Sequence, residues 1–302
     1  MSTSFLKQRR SLMLAGGAFG IAAALPSIVM ASTKTLAIPK RVAVAGGAIT
    51  EVVYALNAQS LLIAADTTST YPAAAQSLAK IGYQRALSAE GVLSLHPDVL
   101  LTSAEAGPPA ALAQITAAGV RVIKLGAQHN VHTVREKIRG TAVALNLAAR
   151  GESLLQQFDN EWQAALATVQ KVSTKNKPLR VMFILSNSGT QAMVSGRDTA
   201  ADAMIRYAGA VNALGGEKDG FKGYKPLTAE SAVAAAPDVL LITSEGLAAI
   251  GGVDKLLASP GISITPAAKN RKVVASMDAL LLLGFGPRLP QAVSQLATQI
   301  YA

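Results

Sequence analysis

A short sequence occurs twice in this chain, with residue 87 of the first copy corresponding to residue 227 of the second. The first copy reads Leu-Ser-Ala-Glu at 87–90 and Pro-Asp-Val-Leu-Leu at 97–101, and the second reads Leu-Thr-Ala-Glu at 227–230 and Pro-Asp-Val-Leu-Leu at 237–241. Solenoid repeats recur every 20 to 50 residues or so, which is far shorter than this separation. The spacing therefore predicts two similar lobes.

Each copy has the pattern of a short helix followed by a buried strand. Ser88 and Thr228 are suitable N-caps, and the proline at the end of each copy disfavours further helix. The continuous apolar residues that follow are typical of a strand that is buried on both faces. Such strands, alternating with helices, predict an α/β fold in which each lobe has a central, mostly parallel sheet flanked by helices.

The N-terminus has the pattern of an export signal. Basic Lys7, Arg9 and Arg10 precede an apolar run at 12–25, and small residues follow at 29–31. We predict a signal peptide at 1–31, and the sequence leaves export by the Sec or the twin-arginine route open. The chain contains no cysteine, which excludes disulfides, thiolate metal sites and a lipidated N-terminal cysteine.

A long helical region separates the two copies of the repeat. The pattern is helical over 131–172, with Gly140 and Gly151 as the expected breaks, and 152–171 contains neither glycine nor proline. A helix of this length spans about 30 Å, enough to run from one lobe to the other. We predict an N-terminal lobe at 32–145, one long connector helix at 146–174 and a C-terminal lobe at 175–302.

Composition and motifs exclude several functions. The formal net charge is +10, but aromatic residues make up only 4% and no long Lys/Arg cluster occurs, which argues against nucleic-acid binding. Gly46-Gly47 lacks the rest of a dinucleotide-binding motif, and no serine-hydrolase elbow or zinc-protease helix is present, so an enzyme is disfavoured. Of the three histidines, His96 fits a structural position. His129 and His132 could share a metal, but a histidine-rich zinc or manganese site would also have to recruit His96 from elsewhere in the same lobe, so a dedicated site of this kind is not expected.

Tyr83 lies in a loop just before the first copy of the repeat, where loops of a parallel α/β lobe face ligand clefts. Two interpretations are open at this point. Tyr83 could be a capping aromatic beside a surface arginine. Alternatively, its phenolate could bind ferric iron, as tyrosine does in some haem proteins, with Arg85 as the cation that favours the phenolate.

Four segments together resemble one protein family. They are Val-Ala-Gly-Gly-Ala-Ile-Thr-Glu at 44–51, Thr-Ser-Thr-Tyr-Pro at 68–72, Gly-Tyr-Gln-Arg-Ala-Leu-Ser-Ala-Glu-Gly at 82–91 and Leu-Gly-Phe-Gly-Pro-Arg at 283–288. They resemble periplasmic haem (hemin)-binding proteins of haem ABC importers, and 82–91 is the most specific part. More broadly, the chain is similar to the helical-backbone class of substrate-binding proteins, which also includes cobalamin and siderophore carriers. That class has two α/β lobes joined by one long helix.

The resemblance implies a function and site residues. It implies ferric haem as the transported ligand in the cleft between the lobes, with Tyr83 as the iron ligand and Arg85 as its support. It implies that Glu90 and Glu230 dock onto an inner-membrane ABC permease, which works with its ATPase. An outer-membrane haem receptor system is a further implied partner, and we expect a periplasmic monomer. The alternatives are the same fold carrying cobalamin or a ferric siderophore, and an exported α/β enzyme.

The chain departs from the family in its second lobe. Some members offer a histidine there as a further haem ligand, but this sequence has Ser-Asn-Ser at 186–188 and no histidine after His132. Binding of two stacked haems through such an imidazole is therefore not expected. Tyr71 is the second candidate for the iron ligand. The weaker candidates for the haem pocket are Tyr71, Asn187, Arg197, Tyr224 and Lys225.

Overall fold

The computed structural model describes residues 38–173, 177–186, 191–218 and 220–302, all within one compact unit spanning Ile38–Ala302. The predicted signal peptide at 1–31 lies outside these residues. Within them, no helix combines the length and hydrophobicity that a membrane span needs. We call residues 38–147 the N-terminal half and residues 177–302 the C-terminal half; the lobe boundaries given above stay predictions.

The N-terminal half is built on a five-stranded parallel sheet with strand order β3-β2-β1-β4-β5. Strand β1 is fully buried along its length, as its unbroken run of apolar residues predicts. The strands are β1 (Val42–Ala45), β2 (Leu62–Ala65), β3 (Ala79–Lys80), β4 (Val99–Ser103) and β5 (Arg121–Leu125). The helices are α1 (Gly47–Ala55), α2 (Ala89–Leu93), α3 (Pro109–Ala117) and α4 (Val131–Ala144).

One long helix, α5 (Ala148–Ser173), follows α4 and leads into the C-terminal half. The predicted breaks at Gly140 and Gly151 are wrong, because these glycines lie inside α4 and α5, and the chain turns at 145–147 instead. A side chain at Gly140 would clash with Leu125, and one at Gly151 would clash with Ala142. Both glycines therefore permit close packing of α4 against its neighbours and do not end helices.

The C-terminal half is built on a six-stranded sheet with order β11-β10-β6-β7-β9, and β8 also pairs with β6. The β10–β11, β10–β6 and β6–β8 pairs are parallel, whereas β6–β7 and β7–β9 are antiparallel. The strands are β6 (Arg180–Ser186), β7 (Met193–Ser195), β8 (Val211–Asn212), β9 (Tyr224–Pro226), β10 (Val239–Ile242) and β11 (Val273–Val274). The helices are α6 (Ala200–Tyr207), α7 (Ala229–Ala235), α8 (Ser244–Ile250), α9 (Val253–Ala258), α10 (Pro266–Lys269), α11 (Ala279–Leu283) and α12 (Leu289–Tyr301).

The largest of three hydrophobic clusters among the described residues joins the two halves through the long helix. It includes Val44 of β1, Phe158 and Trp162 of α5, Phe183 of β6 and Leu296 of α12. Full burial of side chains of this size contributes about 1.5 to 3 kcal/mol each to folding. The long helix is thus packed into the structure, and the predicted fold class of two α/β parts joined by one long helix is confirmed.

The repeated sequence forms the same structural unit in each half. Ser88 and Thr228 are the N-caps of α2 and α7, and each accepts a hydrogen bond from the backbone of its helix. The repeated aspartate accepts from the backbone at the start of the first strand of its own sheet: Asp98 from Arg41, and Asp238 from Arg180. The repeat is therefore the scaffold that fixes a helix and two strands in each half.

Candidate functional site

A cleft with a volume of about 740 Å³ lies between residues of the two halves. Its N-terminal wall is formed where parallel strands end, with Gly46 after β1, Thr67 after β2 and Glu105 after β4. This is the edge at which α/β sheets bind ligands. The wall from the C-terminal half consists of Leu185, Asp198, Thr199, Ala200, Gly223, Tyr224, Glu245, Ala279, Leu280, Leu283 and Gly284.

A second cavity of about 680 Å³ adjoins this cleft. The two cavities share Ala127, His129, Asp198 and Thr199 as lining residues, so they lie side by side. Small-molecule sites in proteins have volumes of about 300 to 1,000 Å³, and each cavity lies within that range.

Tyr83 lines the cleft and is 42% exposed, so its phenol is accessible to a ligand. The Arg85 guanidinium donates a hydrogen bond to the phenol oxygen at 2.6 Å, and its other end forms an ion pair with Glu105. Burial by itself lowers the pKa of Arg85, but the Tyr83 hydrogen bond and the Glu105 charge outweigh burial and raise that pKa above its ordinary value. Arg85 is thus a permanent cation held against the phenol oxygen of Tyr83.

Glu105 is a site residue that the sequence analysis missed. It lies two residues beyond the end of the buried strand β4, and its carboxylate forms an ion pair with the guanidinium that contacts Tyr83. The signal that could have identified it is its place after a parallel strand, at the edge where ligands bind.

Tyr224, at the start of β9, brings a second phenol to the cleft from the C-terminal half. Desolvation raises the pKa of Tyr224, while a hydrogen bond with Thr199 and the charge of Arg85 act in the opposite direction. The charge of Arg85 therefore also acts on the pKa of Tyr224, while its hydrogen bond goes to the phenol of Tyr83. The cleft thus has one tyrosine from each half.

His129 also lines both cavities, which the sequence analysis did not predict. Burial lowers its pKa below the ordinary value, and its ring packs 5.3 Å from the ring of Phe285, centroid to centroid. His132, in contrast, forms a contact of 3.1 Å with Glu136 on the protein surface. The described residues contain no group of three or more His, Cys, Asp or Glu side chains that could hold a metal ion.

Lys137 of α4 is a further lining residue that the sequence analysis missed. Its position, three residues after buried Val134 and four before buried Thr141, is the signal that places it on the inner face of the helix. Its ammonium donates to the carbonyl oxygen of Phe285 at 3.1 Å. Burial lowers the pKa of Lys137 to about 8, against the opposing effect of nearby carboxylates.

The other predicted candidates do not line the cleft, as far as the described residues show. The Arg288 guanidinium carbon lies 3.7 Å from the ring centroid of Tyr71. Arg197 donates to the carbonyl oxygen of Gly216 at 3.0 Å, and the Lys225 ammonium lies 5.2 Å from the ring centroid of Phe221. Asn187 lies outside the described residues.

The backbone amides of the Gly46-Gly47 turn are already hydrogen-bonded to other residues of the protein. The Gly46 amide donates to the carboxylate of buried Asp66 at 2.9 Å, and the Gly47 amide donates to the Thr68 hydroxyl at 2.9 Å. A side chain at Gly47 would clash with the Thr68 carbonyl. These amides are therefore not available to a phosphate, and the glycines allow close packing of two loops.

The two acidic residues of the repeat lie on the surface. Glu90 is in the first turn of α2 and Glu230 in the first turn of α7, and both side chains are exposed. Neither forms an ion pair with another described residue. Each half thus presents one free carboxylate at equivalent positions.

The chain is similar to proteins of known structure. The heme-binding protein BhuT, solved in complex with two hemes, is 55% identical over 87% of this chain and 98% of its own, with a TM-score of 0.82. RhuT from Roseiflexus sp. RS-1, a periplasmic heme-binding protein solved in apo form, is 40% identical over 87% and 98%, also with a TM-score of 0.82. A periplasmic heme-binding protein from Pseudomonas aeruginosa is 32% identical over 87% and 93%, with a TM-score of 0.77.

A comparison with curated proteins gave no match. The periplasmic binding protein family matches residues 42–279, from the first strand of the N-terminal sheet to the start of α11. This match includes both sheets, the long helix and most of the cleft. The chain therefore belongs to the periplasmic binding protein family.

Proposed function

We propose that this protein is a periplasmic substrate-binding protein that binds ferric haem in the cleft and delivers it to an inner-membrane ABC permease. The observation that carries the proposal is the accessible phenol of Tyr83, hydrogen-bonded to Arg85, which Glu105 holds in place. Similar structures that are heme-binding proteins support it, as does BhuT in its complex with two hemes. The residues at 1–31 serve as the export signal, and the protein is not an enzyme.

Ferric iron suits an anionic oxygen ligand, and the site is arranged to supply one. A free phenol loses its proton only near pH 10, so a phenolate at neutral pH needs a neighbouring positive charge. Arg85 provides that charge, and ferric iron provides a second one when haem binds. Glu105 prevents the guanidinium from turning away from Tyr83. Tyr83 is accordingly the iron ligand in this proposal, and Arg85 is its positioning residue.

The second cavity and the second tyrosine extend the proposal to two haems. The two cavities are adjacent, and Tyr224 lines the larger one from the C-terminal half, where the sequence offers no histidine. We expect the first haem at Tyr83 and a second beside Tyr224. BhuT in complex with two hemes supports this stoichiometry.

Delivery requires contact with the permease. Glu90 and Glu230 are exposed, unpaired and equivalently placed on the two halves, which suits a pair of basic contacts on a two-fold permease. In this proposal the binding protein acts as a monomer and works with the permease and its ATPase. An outer-membrane haem receptor system supplies the haem.

A titration with hemin tests the function. The mature protein should develop a Soret band and the charge-transfer bands of a five-coordinate ferric tyrosinate complex, and the titration should end at two equivalents. Tyr83→Phe should remove the tyrosinate bands of the first haem and leave at most those of a weaker complex beside Tyr224, whereas the matched control Tyr71→Phe should keep the wild-type spectrum. Full tyrosinate bands with wild-type affinity in Tyr83→Phe would assign the first iron to another residue. Absence of any hemin complex, together with binding of cobalamin or a ferric siderophore, would replace haem by that ligand.

A further inference from the structure

Lys137 places a buried positive charge at the cleft. The residue is 5% exposed and lines the cleft together with Gly284. Its ammonium donates to the carbonyl oxygens of Phe285 at 3.1 Å and of Gly284 at 3.4 Å. An ammonium has three N–H donors, so these two contacts leave one donor without a hydrogen-bond acceptor among the described residues. A buried cation is costly for a protein unless an anion pairs with it.

The carboxylates that act on Lys137 are already paired with other cations. Glu105 and Glu51 both favour the charged form of Lys137. However, Glu105 forms its ion pair with Arg85, and Glu51 forms its ion pair with Arg288. Lys137 itself has no ion-pair partner among the described residues. The cleft therefore has a buried cation that lacks a counter-ion of its own.

We propose that Lys137 binds a carboxylate of the ligand, which for ferric haem is one of the two propionates at the edge of the ring. This inference rests on the proposed function. A porphyrin that is held only by its iron can still turn about the iron–oxygen bond, because a single bond to Tyr83 fixes a point and no direction. A second contact between Lys137 and the ring edge fixes its orientation.

The same contact selects between ligands. A propionate supplies the negative charge that Lys137 lacks, whereas the amide side chains of cobalamin are neutral and leave the buried cation unpaired. At neutral pH the amine is mostly protonated, since burial lowers its pKa only to about 8. Lys137 is thus ready to bind an anion before the ligand arrives, and it disfavours a ring whose edge carries no charge.

The test compares hemin with its dimethyl ester, in which both propionates are neutral. Both ligands are titrated, in the same dilute detergent, into the wild type, Lys137→Met, Lys137→Gln and the control Lys124→Met, which changes an exposed lysine of β5 outside the cleft. We expect Lys137→Met and Lys137→Gln to bind hemin about tenfold or more weaker than the wild type does, as for a lost hydrogen bond to a charged group. The ester should bind the wild type and both variants equally weakly.

Three outcomes are distinguishable. Loss of affinity for hemin but not for the ester, with unchanged tyrosinate bands, supports the contact. Equal loss of affinity for both ligands would overturn the contact and would make Lys137 a residue that only holds the 284–285 backbone. Lys137→Gln can still donate a hydrogen bond to that backbone, so it separates a lost ligand contact from a folding defect. Absence of binding of either ligand to the wild type would instead reject the proposed function.

Discussion

The two halves of the molecule share a scaffold but differ in the environment of their tyrosines. In the N-terminal half, Tyr83 accepts a hydrogen bond from Arg85, and Glu105 holds that cation. In the C-terminal half, Tyr224 is followed by Lys225, whose ammonium lies over the Phe221 ring instead of the cleft. A tyrosine precedes each copy of the repeat, and the residues beside that tyrosine decide whether it has a supporting cation.

The largest expected effect tests this difference directly. Tyr83→Phe should lower the affinity for the first haem by about 100-fold or more, because it removes the proposed iron ligand, whereas changes around a ligand cost about 10- to 100-fold. Tyr224→Phe should leave the first affinity nearly unchanged and weaken the second equivalent. Soret titrations of both variants measure these losses. If Tyr224→Phe weakens the first binding step as much as Tyr83→Phe does, the first haem does not depend on Tyr83 more than on Tyr224.

The halves also differ in how they hold a buried charge. Asp202 of α6 is 5% exposed, accepts from the Asn212 amide at 3.0 Å and pairs with Arg206 at 3.2 Å, so its charge is satisfied. Lys137, by contrast, has no ion-pair partner in the part of the chain that the structure describes. We expect Asp202→Ala to lower the free energy of unfolding by about 2 to 3 kcal/mol, through lost hydrogen bonds to a buried charge. Urea denaturation measures this, and hemin affinity should stay unchanged. A loss of affinity without a loss of stability would contradict the assignment.

The unpaired charge of Lys137, unlike the paired charge of Asp202, should make the stability of the haem-free protein depend on pH. Its pKa is about 8 in the folded state and near 10.5 when unfolded. Between these values the unfolded chain binds a proton that the folded protein has released, so the free energy of unfolding rises with pH through this window. The rise amounts to at most about 3 kcal/mol. Urea denaturation at pH 7.5 and pH 10 should show this contribution in the wild type and not in Lys137→Met. Identical pH dependence in the two proteins would mean that the lysine is solvated.

Most of the scaffold could be predicted from the sequence. Each copy of the repeat forms the predicted short helix and buried strand, α2 and β4 in the first copy and α7 and β10 in the second, because capping residues and continuous apolar runs are strong local signals. Strands β7, β8 and β9 were not predicted, since two or three residues are too few to show a period. The breaks expected at Gly140 and Gly151 were wrong because packing against Leu125 and Ala142, which only the fold reveals, explains these glycines.

The candidate site was predictable only in part. Tyr83 and Arg85 are two residues apart, so the sequence alone pairs them. Glu105 lies twenty residues further on and meets Arg85 only because β4 ends beside the same loop. Lys137 meets the 284–285 backbone across even more of the chain. Contacts between distant segments leave no local sequence pattern. The charged residues around Tyr83 could therefore be identified only from the structure.

A moderate effect tests the cation beside Tyr83. Arg85→Leu should weaken the binding of the first haem by about tenfold, since it removes the charge that supports the phenolate but keeps the ligand. The matched control is Arg197→Leu in the C-terminal half, whose guanidinium donates to the Gly216 carbonyl away from the cleft. Hemin titrations of the two variants at the same pH provide the comparison. Equal losses would show that overall positive charge, and not the contact with Tyr83, supports binding.

The smallest expected effect concerns the repeat itself. Ser88 caps α2 with one hydrogen bond, accepting from Gly91 at 3.2 Å. Thr228 caps α7 in a reciprocal pair, because its hydroxyl accepts from the Ser231 amide at 3.1 Å and the Ser231 hydroxyl accepts from the Thr228 amide at 3.0 Å. Thr228→Ala should therefore cost about 1 to 2 kcal/mol of unfolding free energy, and Ser88→Ala about 0.5 to 1 kcal/mol, by urea denaturation. Equal costs would show that the second bond adds nothing to the cap. The expected difference would mean that α2 and α7, which carry the proposed docking residues Glu90 and Glu230, begin with caps of unequal strength.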